Sequence, residues 1–173
     1  MQDLLLAAAR AFESYYFLLL PAMVLLAVYK MKSARVLLLA VVVAGLVGLA
    51  LKPVIAQDRP CNLGEPSLVE CLKDYGMPST HAATSSALAV ATLGTPLFFI
   101  FAPIAVLVAY SRVYLGVHTL EQVAAGVALG VAAYSFARVI EKMLPRPRGR
   151  EVKAGLWGKK RSGRAAGRGG SRK

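Results

Sequence analysis

Residues 34–60 read ARVLLLAVVVAGLVGLALKPVIAQDRP. Between Arg35 and Lys52 the run carries no charge. A hydrocarbon core of about 30 Å needs roughly 20 apolar residues in a helix, so this segment is expected to span a membrane. Its far end is chemically different: Lys52 is followed, seven residues on, by Arg59-Pro60. On a helix that spacing puts both cations on one face, two turns apart, and Pro60 is expected to end the helix. Taken alone, Lys52 is a snorkelling residue at the end of a span.

Composition extends the membrane reading to most of the chain. Hydrophobic residues make up 57%, mean hydropathy is +0.55, and charged residues are only 17%, against nearer a quarter in soluble domains. Five spans are predicted, at about residues 12–30, 34–56, 79–94, 96–112 and 119–143. Gly94-Thr95-Pro96 is the break between the third and fourth, since Gly frees the backbone and Pro suits the first turn of a helix. Residues 1–11 either extend the first helix or lie in the interface. The first charge is Asp3 and no basic segment precedes the apolar run, so the start reads as a retained span and not a signal peptide. The fold class expected is all-α: a polytopic integral membrane bundle over residues 1–144, followed by a basic tail at 145–173.

Charge orients this bundle. The first loop carries Lys30, Lys32 and Arg35, and the chain after Ile140 holds twelve of the 21 Lys and Arg residues. The loop around 57–78 leans acidic, with Asp58, Glu65, Glu70 and Asp74 against Arg59 and Lys73. Basic loops stay cytoplasmic, so the N-terminus is expected outside, the tail in the cytoplasm, and the long loop outside. The tail, with Pro145, Pro147, repeated Gly and no apolar period, reads as disordered. It is expected to anchor topology and to meet anionic lipid headgroups, with Trp157 as an interfacial contact. A basic tail alone carries little nucleic-acid specificity, and no nucleic-acid partner is expected. Cys61 and Cys71 share the outward loop; a disulfide and two separate thiols both remain open.

Two further runs fall on the same outward face. Pro78-Ser79-Thr80-His81 opens the third span, where free backbone N–H groups and the helix dipole favour an anion. Ser111-Arg112 closes the fourth, and Gly116-Val117-His118 leads into the fifth. Splitting a phosphate ester or anhydride needs cations on the nonbridging oxygens, an in-line nucleophile and a proton donor for the leaving oxygen. Lys52, Arg59, Arg112, His81 and His118 together offer that set. The cluster Thr84, Ser85 and Ser86 reads as packing polarity. Small residues (Ala82, Ala83, Ala87 and Ala91 on the third span, Gly126 and Gly130 on the fifth) are expected to let those two helices meet. His81 and His118 would then flank one phosphate. The third span, about 24 Å long, is short of a full core, which sinks the site slightly below the surface.

The ordered set Lys52, Arg59-Pro60, Pro78-Ser79-x-His81, Ser111-Arg112 and His118, over residues 52–122, resembles the type 2 phosphatidic acid phosphatase superfamily, which includes the soluble vanadium haloperoxidases. The resemblance implies that His118 is the nucleophile, forming a phosphohistidine, and that His81 is the general acid. It implies that Lys52, Arg59, Arg112, Ser79 and the backbone at Thr80 hold the phosphoryl oxygens. No metal or other cofactor is implied, and no paired carboxylates stand at metal-ligand spacing. The superfamily usually places Asp four residues after the nucleophile. Here that position is Gln122, with Glu121 beside it as a possible substitute. A carboxamide can still fix the imidazole tautomer, without full charge. Tyr75-Gly76-Met77-Pro78-Ser79-Thr80-His81, Arg59-Pro60-Cys61 and His118-Thr119-x-x-Gln122-Val123 look like the dolichyl diphosphate phosphatase branch, where glutamine is usual. That branch implies an integral membrane enzyme, of the cell or endoplasmic reticulum membrane. It would hydrolyse a polyprenyl (dolichyl) diphosphate on the outer or lumenal face and so recycle the glycan carrier used in protein N-glycosylation. The competing expectations are a broader lipid phosphatase (phosphatidate, phosphatidylglycerophosphate or undecaprenyl diphosphate) and a non-catalytic membrane scaffold. A transporter is disfavoured by the lack of paired repeats and of mid-span charge.

Overall fold

The computed structural model describes residues 2–30 and 34–144. They form five helices: α1 (Gln2–Lys30), α2 (Ala34–Ile55), α3 (Thr80–Ala91), α4 (Phe98–Tyr114) and α5 (Leu120–Met143). A 3-10 turn at Pro60–Leu63 lies in the long loop, and no strand occurs among the described residues. The chain divides into a compact unit, Met1–Glu141, and a C-terminal unit, Lys142–Lys173, of which residues 142–144 are described. The tail expected at 145–173, Trp157 included, lies outside the described residues, as does Lys32.

The predicted spans match the helices, and one of the two placements expected for the N-terminal residues is realised. From Gln2, the N-terminal residues continue α1 as helix. Arg59, by contrast, is not on α2. That helix ends at Ile55, because Ala56 adopts the left-handed conformation (φ 51°) and its N–H closes back on the Lys52 carbonyl at 2.9 Å. Arg59 therefore reaches the site from extended backbone and not along a shared helix face. Cys61 and Cys71 are bonded to each other, with Cα atoms 6.0 Å apart.

The segments Ala34–Leu63 and Leu120–Met143 are long and apolar enough to cross a membrane. Large apolar side chains point outward along the bundle, among them Leu25, Leu46, Phe99 and Val106. In hydrocarbon such faces carry no penalty, and the helices are held by close packing of small residues. The core follows that rule. Ala40 and Ala44 of α2, Ala83 and Ala87 of α3, and Ala133 and Ala137 of α5 form one buried cluster. Ala27, Leu37, Leu88 and Phe101 centre a second, which ties α1 and α4 to the same axis.

Helix α3 is that axis. Its twelve residues rise only about 18 Å, shorter than the sequence suggests, and nine of them are buried. Its hydroxyls bond to carbonyls of their own helix: Thr84 to Thr80 (2.8 Å), Ser85 to His81 (2.7 Å) and Ser86 to Ala83 (3.1 Å). The buried polar groups are thereby satisfied without leaving the helix. Helix α5 passes close because it lacks side chains at the crossing. A methyl group on Gly126 would fall 3.0 Å from Ala82 Cβ, and one on Gly130 2.8 Å from the Ala87 nitrogen.

Candidate active site

The C-terminal ends of α2 and α4 and the N-terminal ends of α3 and α5 meet at one end of the bundle. Backbone bonds fasten them: Ser79 N–H donates to the Gln122 carbonyl at 3.0 Å, and His118 N–H to the Arg112 carbonyl at 3.2 Å. Gly116 (φ 72°) turns the chain between α4 and His118 directly beneath the Pro66 carbonyl, where a side chain has no room. The turn thus sets where the imidazole stands.

His118 is buried and held from both ring nitrogens. Gln122 Oε1 lies 3.0 Å from Nδ1, and Arg59 Nη1 lies 3.0 Å from Nε2. The Gln122 amide is itself fixed, since its Nε2 donates to the Asp58 carbonyl at 2.8 Å. That bond turns Oε1 toward the ring, so Nδ1 carries the proton and donates. Nε2 is left with a lone pair, which accepts from Arg59. Burial, and then the nearby Arg59 guanidinium, push the His118 pKa down to about 3. The group is a neutral base aimed at a cation.

Around it stands a cluster of buried charge. Lys52 is 6% exposed and Arg59 5%, and desolvated cations of this kind require a partner. Both find one in Asp74. Its Oδ2 pairs with the Lys52 ammonium, and its Oδ1 accepts from Arg59 Nε at 2.8 Å and Nη2 at 2.7 Å. Burial tends to raise the Asp74 pKa, but the Lys52 and Arg59 contacts outweigh it and hold the carboxyl below the usual range. Arg112, 1% exposed, directs its Nε and Nη2 to Ser111 Oγ at 3.3 Å each. Ser79 caps α3 without a side-chain cap bond, and its buried Oγ has no hydrogen-bond partner among the described residues. Thr80 begins α3 beside it.

His81, the second residue of α3, lies within electrostatic reach of Arg59, Lys52 and Asp74. Tyr16 of α1 stacks on it, ring centroids 4.2 Å apart and tilted 45°, and donates to the His81 carbonyl at 3.2 Å. Lys52, Arg59, Ser79, His81, Arg112, His118 and Gln122 thus gather at one end of the bundle. Glu121 faces outward while Gln122 is fully buried, so Glu121 does not substitute at the imidazole. Asp74 and Tyr16 were not legible as site residues: one reads as another loop acid, the other as another aromatic in a span. No group of three His, Cys, Asp or Glu side chains is arranged for a metal ion among the described residues.

Fold and site together define a helical membrane protein with a buried cation cluster, an oriented imidazole and a second histidine at one end of the bundle. The chain belongs to the PAP2 superfamily, which matches residues 33–145. An undecaprenyl-diphosphatase of Sulfolobus acidocaldarius is 39% identical over 118 residues, covering 64% of this chain and 57% of that protein. The chain therefore spans a little over half the length of this curated relative. The crystal structure of a transmembrane PAP2 type phosphatidylglycerolphosphate phosphatase from Bacillus subtilis superposes with a TM-score of 0.60 at 23% identity. That likeness covers 84% of this chain and 79% of that one, and carries the fold.

Proposed function

We propose that this protein is a membrane lipid phosphatase that removes the terminal phosphate of a polyprenyl diphosphate, of the dolichyl type, leaving the monophosphate. The observation that carries the reading is the orientation of His118. Gln122 and the Asp58 carbonyl fix its tautomer so that the Nε2 lone pair points at Arg59, within the Lys52–Arg59 cation cluster. The undecaprenyl-diphosphatase relative supports a polyprenyl diphosphate as substrate.

In this reading the terminal phosphoryl group lies on Lys52, Arg59 and Arg112, with Ser79 Oγ and the first N–H groups of α3 beneath it. His118 Nε2 attacks phosphorus, the bond to the bridging oxygen breaks, and the lipid monophosphate departs with a proton from His81. Water then attacks the phosphohistidine, giving its proton to His81. Inorganic phosphate leaves and the Nε2 lone pair returns. The Nδ1 proton stays on His118 throughout, donated to Gln122 Oε1. A carboxamide stabilises the charged ring less than a carboxylate would, which matters least when the leaving group is a phosphate and far less basic than an alkoxide.

We place the site on the outer or lumenal face. The basic first loop and basic tail belong on the opposite, cytoplasmic side, and the Cys61–Cys71 bond suits an oxidising compartment.

The test is phosphate release in detergent with excess chelator. Dolichyl diphosphate, undecaprenyl diphosphate, dolichyl monophosphate and phosphatidate are compared, with His118→Ala as control. Chelator-resistant release from the diphosphates, abolished by His118→Ala, together with an acid-labile phosphoryl label on the native protein, is expected. Equal turnover of monoesters would replace this reading with a general lipid phosphatase. Folded protein inert toward all four would leave a non-catalytic scaffold.

A further inference from the structure

We infer that Asp74 is an internal counter-anion for the phosphate site, which competes with the phosphoryl group for Lys52 and Arg59 and sets how tightly phosphate is held. The inference rests on the proposed reading of those two cations as phosphate ligands.

The geometry is that of a stand-in. One carboxylate oxygen meets Lys52 and the other meets two nitrogens of Arg59, as two nonbridging phosphoryl oxygens would. The cations themselves are fixed, with side chains only 8% and 6% exposed, whereas the Asp74 side chain is 45% exposed. It hangs from loop backbone between the disulfide at Cys71 and the start of α3. A further, longer bond of 3.3 Å runs from Arg59 Nε to the Asp74 carbonyl. The partner able to move is therefore the acid.

Two physical requirements explain the arrangement. Without substrate, two adjacent buried cations repel each other and have lost their water, so an anion at hand stabilises the empty site. With substrate, a phosphoryl group carrying more than one negative charge cannot share those cations comfortably with a carboxylate. Asp74 then turns to the solvent on its open side and returns as phosphate leaves. It does not serve as a proton donor, because a carboxylate held between two cations stays ionised and has no proton to give. Nor is it merely a brace for Lys52 and Arg59: a brace and a competitor have opposite effects on phosphate affinity.

The apparent affinity for a ligand falls by the fraction of time its site is available. If Asp74 occupies the cations about nine-tenths of the time, removing its charge strengthens phosphate binding by about tenfold. The experiment measures binding of inorganic phosphate, and of orthovanadate, to the full-length detergent-solubilised protein, with Asp74→Asn and Asp74→Ala beside the wild type. Both substitutions are expected to tighten phosphate binding about tenfold, to strengthen inhibition by product phosphate equally, and to lower KM. Unchanged or weaker phosphate binding in folded variants overturns the inference in favour of a brace. A measurement on the wild type covers variants that fail to fold. With 13C-labelled aspartate, phosphate should shift a carboxylate stretching band toward its solvated frequency, and an unmoved band is equally fatal. Wild-type protein that hydrolyses the diphosphate while Asp74→Asn binds phosphate no better sinks this inference alone. Wild-type protein that neither binds phosphate nor releases it sinks the underlying function as well.

Discussion

Gln122 Oε1 accepts the Nδ1 proton of His118 at 3.0 Å while the Gln122 amide nitrogen is tied to the Asp58 carbonyl at 2.8 Å. The side chain is thus read from both ends, and neither end tolerates exchange. Gln122→Ala frees the ring to rotate and to change tautomer. An outer partner that orients a functional imidazole is typically worth 10–100-fold, and kcat is expected to fall within about that range while KM moves little. Gln122→Glu is expected to do no better on the diphosphate, because a carboxylate oxygen would then face the Asp58 carbonyl. Steady-state kinetics of the two variants decide it. A Gln122→Glu enzyme faster than wild type would show that charge, and not orientation, is what the position lacks.

The depressed basicity of His118 has a direct consequence for pH. In the proposed mechanism only the neutral imidazole attacks, and its pKa in the folded protein is lowered to about 3, by burial first and Arg59 second. The nucleophile therefore stays competent from neutrality down to about pH 4 and is lost only as pH falls through about 3, not through the ordinary histidine value near 6.5. Nitrogen-15 spectra of labelled histidine across this range report the ring directly. Arg59→Gln removes the second cause and should move the His118 titration upward. A wild-type His118 that protonates near pH 6.5 would contradict the buried, cation-facing placement.

Tyr16 supports His81 through its ring, stacked at a centroid distance of 4.2 Å, and through its hydroxyl, shared between the His81 carbonyl and Thr84. Tyr16→Phe keeps the ring and is expected to leave kcat within about threefold, with a modest loss of stability of about 0.5–1.5 kcal/mol. Tyr16→Ala removes the wall against which His81 rests. Since proton donation contributes about 10²–10⁴-fold, misplacing His81, the donor in the proposed mechanism, should cost at least about tenfold on substrates with basic leaving groups. The loss should be far smaller on p-nitrophenyl phosphate, whose leaving group needs no proton. An equal loss on both would mean that Tyr16 is only structural.

Two glycines on facing helices give opposite expectations. Gly130 of α5 packs against the α3 backbone, and an added methyl would sit 2.8 Å from the Ala87 nitrogen. Gly45 of α2 has only an ordinary contact, 3.5 Å to Thr84 Cγ2. Gly130→Ala should destabilise by about 1–3 kcal/mol, as overpacking does, and should reduce activity by pushing α3 away from α5. Gly45→Ala should be neutral or stabilising, because alanine favours helix by up to about 1 kcal/mol. Thermal unfolding in detergent separates them, and similar behaviour of the two would refute the close approach.

Much of this architecture is legible in the chain because apolar runs and their punctuation are local. Gly94-Thr95-Pro96 does mark the turn between α3 and α4, and the small residues of α3 and α5 do mark their meeting. What escaped depends on backbone angles or on folding of the long loop. Nothing in the residues QDRP signals that Ala56 turns left-handed and takes Arg59 off the helix. The pairing of Cys61 with Cys71 stayed open because only the folded loop brings their Cα atoms to 6.0 Å. Asp74 was visible merely as one acid among four in that loop. Its relation to Lys52 spans 22 residues and has no periodicity to reveal it.

The shortness of α3 also bears on how the protein comes into being. A segment rising about 18 Å and carrying His81, Thr84, Ser85 and Ser86 has little of its own to hold it in hydrocarbon. It must be carried in by its neighbours during synthesis. Helix α2 emerges before it, but the glycines that let α5 embrace it, and the glutamine that steadies His118, lie later in the chain. In the proposed reading, the site is therefore incomplete until α5 packs beside α3, and the order of synthesis delays its chemistry until that contact forms.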